Sequence, residues 1–172
     1  DSGPRVLSGG ADGHIWVWDP ESLKSQPLFG VKYHNDMIRA ITAYEHPDGW
    51  QIVSVGDDSI INIWSFANPH QHQIIDSYTR SIRGVTAFRT LHGWGLATGS
   101  LDQLMHIHEF DENNLLIKTQ LLKGHNDWIR GICAMESVTE EIVSLATGSD
   151  DGTLKLWNFS TKGTKLIKSY GD

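Results

Sequence analysis

His34, Ser54 and Asp58 are the three side-chain types of an acyl-transfer triad: a hydroxyl nucleophile, a base, and a carboxylate to orient the base. The same order returns as His125, Thr147 and Asp151. A single active site has no reason to recur along a chain, whereas a structural brace does, so a hydrolase is not the expected reading. Two histidine pairs, His70-Gln-His72 and His106-Ile-His108, each place two imidazoles on one face of an extended segment. Zinc asks for three or four ligands, and neither Cys-x-x-Cys nor His-Glu-x-x-His occurs. Asp57-Asp58 and Asp150-Asp151-Gly152 lack the spaced oxygen ligands of a calcium loop. There is no Gly-x-x-x-x-Gly-Lys phosphate loop. Neither catalysis nor a metal or other cofactor is therefore expected.

Arginine is the remaining reactive type with a pattern. Arg39, Arg83 and Arg130 each follow isoleucine and precede alanine or glycine. A guanidinium presents a planar fork of donors that fits carboxylate or phosphate. Asp57 and Asp150 offer Arg39 and Arg130 an internal salt-bridge partner, while Leu101 stands at the matching position for Arg83.

The elements that carry these residues are short strands. Leu145-Ala-Thr-Gly-Ser149 and Thr153-Leu-Lys-Leu-Trp157 alternate in polarity around the turn Asp150-Asp151-Gly152, in which glycine is free to take positive φ. That hairpin is written four times: Val6 to Asp19, Val53 to Phe66, Leu96 to Phe110 and Leu145 to Phe159. Its turn aspartates are Asp12, Asp58, Asp102 and Asp151, at spacings of 46, 44 and 49 residues. Six residues after each come Trp18, Trp64, His108 and Trp157. A second motif precedes the last three copies: Tyr33-His-Asn-Asp-Met-Ile-Arg-Ala, Ser77-Tyr-Thr-Arg-Ser-Ile-Arg-Gly and Gly124-His-Asn-Asp-Trp-Ile-Arg-Gly. A period of this length marks a propeller-type array.

The Gly-His dipeptide, the Ser/Thr-Gly-Ser-x-Asp turn and the Trp at the strand end resemble WD40 repeats, over nearly the whole chain. The resemblance implies an all-β propeller segment of about four blades, each a four-stranded antiparallel sheet, with the first blade lacking its strand a. The blades are expected at 1–30, 31–78, 79–123 and 124–172. It also implies a buried hydrogen-bonded set in each complete blade: His34, Ser54, Asp58 and Trp64 in the second, and His125, Thr147, Asp151 and Trp157 in the fourth. The third blade departs, with Tyr78 and His108 in place of His and Trp, leaving Asp102 to accept from one of them. In similar proteins the top-face contacts come from three positions of each blade. Carried over, these are Arg39, Arg83 and Arg130 at the mouth of the channel, then Met37, Ser81 and Trp128, and then Ala11, Asp57, Leu101 and Asp150.

The expected function is a non-catalytic scaffold that binds peptide or protein partners on this face, including acidic or phosphorylated segments. Two further readings are a C-terminal sensor propeller of a larger signalling protein and a structural subunit inside a large assembly. The remaining blades of the ring are expected from another chain, a second copy, or sequence not included here. The formal net charge of −7 argues against nucleic acid as the main partner. No apolar run approaches the ~18 residues of a membrane span. The one cysteine, Cys133, builds no disulfide framework and lies on an apolar strand, where a small buried hydrophobe is expected; a reducing compartment, cytoplasm or nucleus, follows.

Overall fold

The computed structural model describes residues 3–21, 29–136, 142–160 and 162–171. Among them there are strands and turns and no helix, so none is long and apolar enough to cross a membrane. The strands are Val6–Gly9 (β1), His14–Trp18 (β2), Phe29–Lys32 (β3), Ile38–His46 (β4), Gly49–Gly56 (β5), Ile61–Ser65 (β6), His72–Ile75 (β7), Ile82–Thr90 (β8), Gly93–Ser100 (β9), Met105–Asp111 (β10), Leu116–Leu122 (β11), Ile129–Glu136 (β12), Val143–Ser149 (β13), Leu154–Ser160 (β14) and Gly163–Tyr170 (β15). The first outer strand was expected around residues 28–30; residue 28 lies outside the described residues, and β3 carries the rest.

Each sheet is an antiparallel meander in chain order: β1-β2-β3, β4-β5-β6-β7, β8-β9-β10-β11 and β12-β13-β14-β15. Every first hairpin turn of a sheet's b and c strands uses one device. The residue after the turn aspartate has positive φ: 74° at Gly13, 65° at Ser59, 71° at Gln103 and 78° at Gly152. Its N–H donates to the carbonyl three residues back in all four turns, at 3.2–3.3 Å. The aspartate Oδ1 accepts the N–H two residues on: from His14, Ile60, Leu104 and Thr153, at 2.9–3.3 Å. This Asx-type bond explains why aspartate is written at every corner.

The chain divides into two compact units, Asp1–Tyr78 and Thr79–Asp172, each with two sheets. In the first unit Ile15 and Val17 of β2 pack with Ile38, Ile52 and Trp64. In the second, Phe88, Ala97, Met105 and Ile107 of the third sheet pack with Ile129, Val143, Leu145, Trp157 and Phe159 of the fourth. Burying aliphatic side chains of this size stabilises by about 1.5–3 kcal/mol each. Alternation along β13 and β14 puts one set of side chains into this core and leaves the other set on the opposite face.

Candidate functional site

The buried braces come first, because they hold the turns that the site is built on. In the fourth sheet His125 Nδ1 lies 2.9 Å from Asp151 Oδ2 and Nε2 lies 2.8 Å from Thr147 Oγ1. Trp157 donates its indole N–H to the same Thr147 oxygen at 2.9 Å. Donor counting orders the protons: Thr147 receives from Trp157 and donates to His125 Nε2, which leaves His125 Nδ1–H to donate to Asp151. Burial opposes ionisation of Asp151, but bonds from the Thr153 hydroxyl, the Asn126 N–H and His125 outweigh it and hold the carboxyl well below the usual range.

The second sheet repeats half of this. His34 bridges Asp58, at 2.9 Å to both oxygens, and Ser54 Oγ, at 2.8 Å. Trp64, expected to join them, does not: its buried Nε1 has no hydrogen-bond partner. The indole is held by packing instead, 5.7 Å from the Tyr33 ring and inside the apolar cluster. Ser54 and His34 are both fully buried. A nucleophile sealed from solvent cannot meet a substrate, so this Ser–His–Asp geometry serves as a brace.

In the third sheet the histidine on Asp102 is His106, at 2.8 Å, and not His108. His108 turns to the outer strand and bonds Thr119 Oγ1 at 3.1 Å. The reason is reach: residue 106 sits directly beside Thr98 on the strand pair, nearer the turn, whereas residue 108 sits beside Leu96. Burial, helped by the charge of His106, pushes the His108 imidazole down to about 4. No group of three or more His, Cys, Asp or Glu among the described residues is arranged to hold a metal ion.

The three arginines share a feature that sequence reading missed. In each complete sheet the pairing of the first two strands slips by one residue, and the arginine is the extra residue. Ile38 opposes Gly56 and Ala40 opposes Val55, which leaves Arg39 as the bulge. Likewise Ile82 and Gly84 flank Arg83, and Ile129 and Gly131 flank Arg130. A β-bulge re-aims its side chain out of the pleat. Just before each bulge one backbone bond recurs: Asp57 N to Met37 O at 2.9 Å, Leu101 N to Ser81 O at 3.0 Å and Asp150 N to Trp128 O at 3.0 Å. Within each sheet, then, the three expected contact positions meet at one end: Met37, Arg39 and Asp57; Ser81, Arg83 and Leu101; Trp128, Arg130 and Asp150. Ala11 marks the same corner of the first sheet, exposed.

Arg39 and Arg130 are engaged inside their own sheets. Arg39 donates from Nε to Asp57 at 2.9 Å and from a terminal nitrogen to the same oxygen. Arg130 grips Asp150 side-on, Nε at 2.9 Å and Nη2 at 2.7 Å, and lies 4.9 Å over the exposed Trp128 ring. The Asp150 bond raises the arginine, and the Arg130 bond lowers the carboxyl. The site is thus ion pairs with aromatic and apolar surface, and not a cluster of bare cations. Cys133 also differs from expectation: it is exposed, on the face of the fourth sheet turned away from the core.

A family profile described as "WD domain, G-beta repeat" matches residues 1–19 and 116–158. The chain is 24% identical over 180 residues to Elongator complex protein 2 of Arabidopsis thaliana, covering 92% of this chain and 21% of that protein. It is 29% identical over 170 residues to a guanine nucleotide-binding protein subunit beta-like protein of Encephalitozoon cuniculi, with 94% and 48% covered. To protein transport protein sec13 of Emericella nidulans it is 21% identical over 179 residues, with 90% and 58% covered. The chain thus spans between about a fifth and three fifths of the length of these relatives. Aspartate-cornered hairpins in every sheet, one brace repeated between sheets and these matches together make the chain a WD40-repeat β-propeller segment of about four blades.

Proposed function

We propose that the chain is a non-catalytic interaction scaffold whose partners are protein or peptide segments bound at the arginine-bulge ends of the sheets. The observation that carries this reading is Trp128. A large aromatic stays 40% exposed there, stacked on a guanidinium that Asp150 holds in place. Rigid aromatic and arginine surface of this kind is what binding hot spots are made of. Asp150 occupies the Nε side of Arg130 and leaves the outer edge of the fork, which an acidic or phosphorylated segment fits. Arg39 beside Met37 and Arg83 beside Leu101 extend the same chemistry within their own sheets.

The test is site-specific photo-crosslinking in cell extract from position 128, with position 91 on the far turn as control. Recovery of peptides rich in Asp, Glu or phosphate from position 128 alone supports the reading. Equal capture at both positions overturns it. A second reading, a subunit built into a large assembly inside the cell, draws on one relative's being an Elongator complex protein. It predicts that the native chain runs only as part of a large particle.

A further inference from the structure

One position on the third strand of each complete sheet carries a different polar residue every time, and in the fourth sheet it is a lysine. Ser54 faces Asn62 across the strand pair in the second sheet, Thr98 faces His106 in the third, and Thr147 faces Lys155 in the fourth. All three are buried, Lys155 to 7% exposure. Asn62 donates to the Tyr33 carbonyl at 2.9 Å, and His106 lies 2.8 Å from the Asp102 carboxylate. Lys155 has no such acceptor. Its Nζ donates to Ser169 Oγ at 2.8 Å, and among the described residues no carboxylate pairs with it. An ammonium taken out of water against one neutral hydroxyl is poorly compensated.

The neighbour on the outer strand changes with it. Ile74 lies beside Asn62 and Leu121 beside His106, whereas Ser169 lies beside Lys155. Ser169 is exposed although its oxygen holds a buried cation. Its strand, β15, is the edge of the fourth sheet. That strand carries Lys165 and Lys168 and no acidic residue, in a chain of net charge −7. A solvent-facing hydroxyl thus stands on a basic edge, with an uncompensated positive charge directly beneath it.

We propose that Ser169 is a phosphorylation site and that Lys155 is the cation that receives the phosphate. The Ser169 hydroxyl oxygen attacks the terminal phosphorus of ATP in a protein kinase. The new O–P bond forms as the bond to the ADP leaving group breaks, and the hydroxyl proton passes to the kinase's base. Lys165 and Lys168, four and one residues before the acceptor, suit a kinase with an acidic substrate groove. An edge strand can open locally and enter such a groove extended. Once added, the phosphate brings close to two negative charges and three acceptor oxygens to an ammonium that has donors to spare. The bond from Lys155 becomes a charge-assisted one, and β15 is held more tightly than before. Lys155 lies on the same face of β14 as Trp157 and Phe159, within the packing of the third and fourth sheets, and what binds at Trp128 does not enter.

The test encodes phosphoserine at position 169 of the full chain and follows amide hydrogen exchange along β15. The expected result is about tenfold slower exchange than in the unmodified chain, with a higher denaturation midpoint. Lys155→Met removes that gain and, by relieving a buried charge, does not lower the midpoint of the unmodified chain. Lys155→Arg keeps the charge and retains the gain, and Lys168→Met leaves it in place. In the chain isolated from its native cells with phosphatases inhibited, mass spectrometry is expected to find phosphate on Ser169. Phosphoserine that loosens β15 overturns the proposal, and so does a gain that survives Lys155→Met. A native chain with no phosphate on Ser169 overturns it as well, since Lys155 and Ser169 would then be a structural latch only.

Discussion

Thr147 Oγ1 lies 2.9 Å from the indole nitrogen of Trp157, and the same oxygen lies 2.8 Å from His125, so one buried hydroxyl ties the strand-c tryptophan to the turn aspartate. The second sheet lacks this tie, because Trp64 Nε1 reaches no acceptor. Thr147→Val keeps the shape and strands two partners. We expect it to cost about 2–4 kcal/mol by chemical denaturation, at ~1–2 kcal/mol per orphaned group. Ser54→Ala removes one bond from His34 Nε2, which keeps the Asn62 amide at 3.4 Å, and is expected to cost at most about half as much; equal losses would show that Trp64 also depends on Ser54.

All four aspartate-cornered turns require a positive φ, and of these four only the ones at Gly13 and Gly152 meet it with glycine. Gln103, at 71°, carries a left-handed conformation that disfavours a side chain by about 1–2 kcal/mol. Part of the gain is offset by the looser unfolded chain that glycine allows. Gln103→Gly is therefore expected to stabilise by about 0.5–1 kcal/mol, and Gly152→Gln to destabilise. A drop in melting temperature for Gln103→Gly would contradict the turn argument.

His108 is buried neutral, with its imidazole pushed down to about 4, against an ordinary value of 6.5. Between those values the unfolded chain binds a proton that the folded chain refuses, so stability falls as pH falls from about 6.5 to about 4. The slope from this group approaches ~1.4 kcal/mol per pH unit. His108→Gln, which retains a donor for Thr119, should flatten the denaturation midpoint over that window and leave the losses below pH 4, where Asp102 and Asp151 protonate. An unchanged slope would place the sensitivity elsewhere.

The Arg130–Asp150 pair stands at the surface, where ion pairs contribute little to folding. Arg130→Ala and Asp150→Ala are expected to leave the melting temperature within error of the parent. If an acidic segment binds at Trp128, Arg130→Ala abolishes its capture, whereas Asp150→Ala frees the whole fork and strengthens it. Both changes weakening capture alike would mean that the partner reads the pair as a unit.

Much of this molecule was legible in the one-dimensional pattern. Alternation marked the strands, and the Asp-plus-one turn marked the corners. The recurrence of His, Ser or Thr, and Asp at one period marked a brace in place of an active site. These features are local or repeated, and each is set by backbone geometry that a few adjacent residues determine.

What the tertiary structure alone decided is how those residues meet across strands. It showed that Arg39, Arg83 and Arg130 are bulges, because a bulge is a slip of register between two strands and neither strand records it. It assigned Asp102 to His106, because distance to the turn, and not residue type, selects the partner. It left Trp64 without an acceptor, because an indole's rotation depends on the rings packed beside it. It also showed that Gly99 must be glycine because Ile129 of the neighbouring sheet sits where a Cβ would be, a contact that the glycine's own strand does not record.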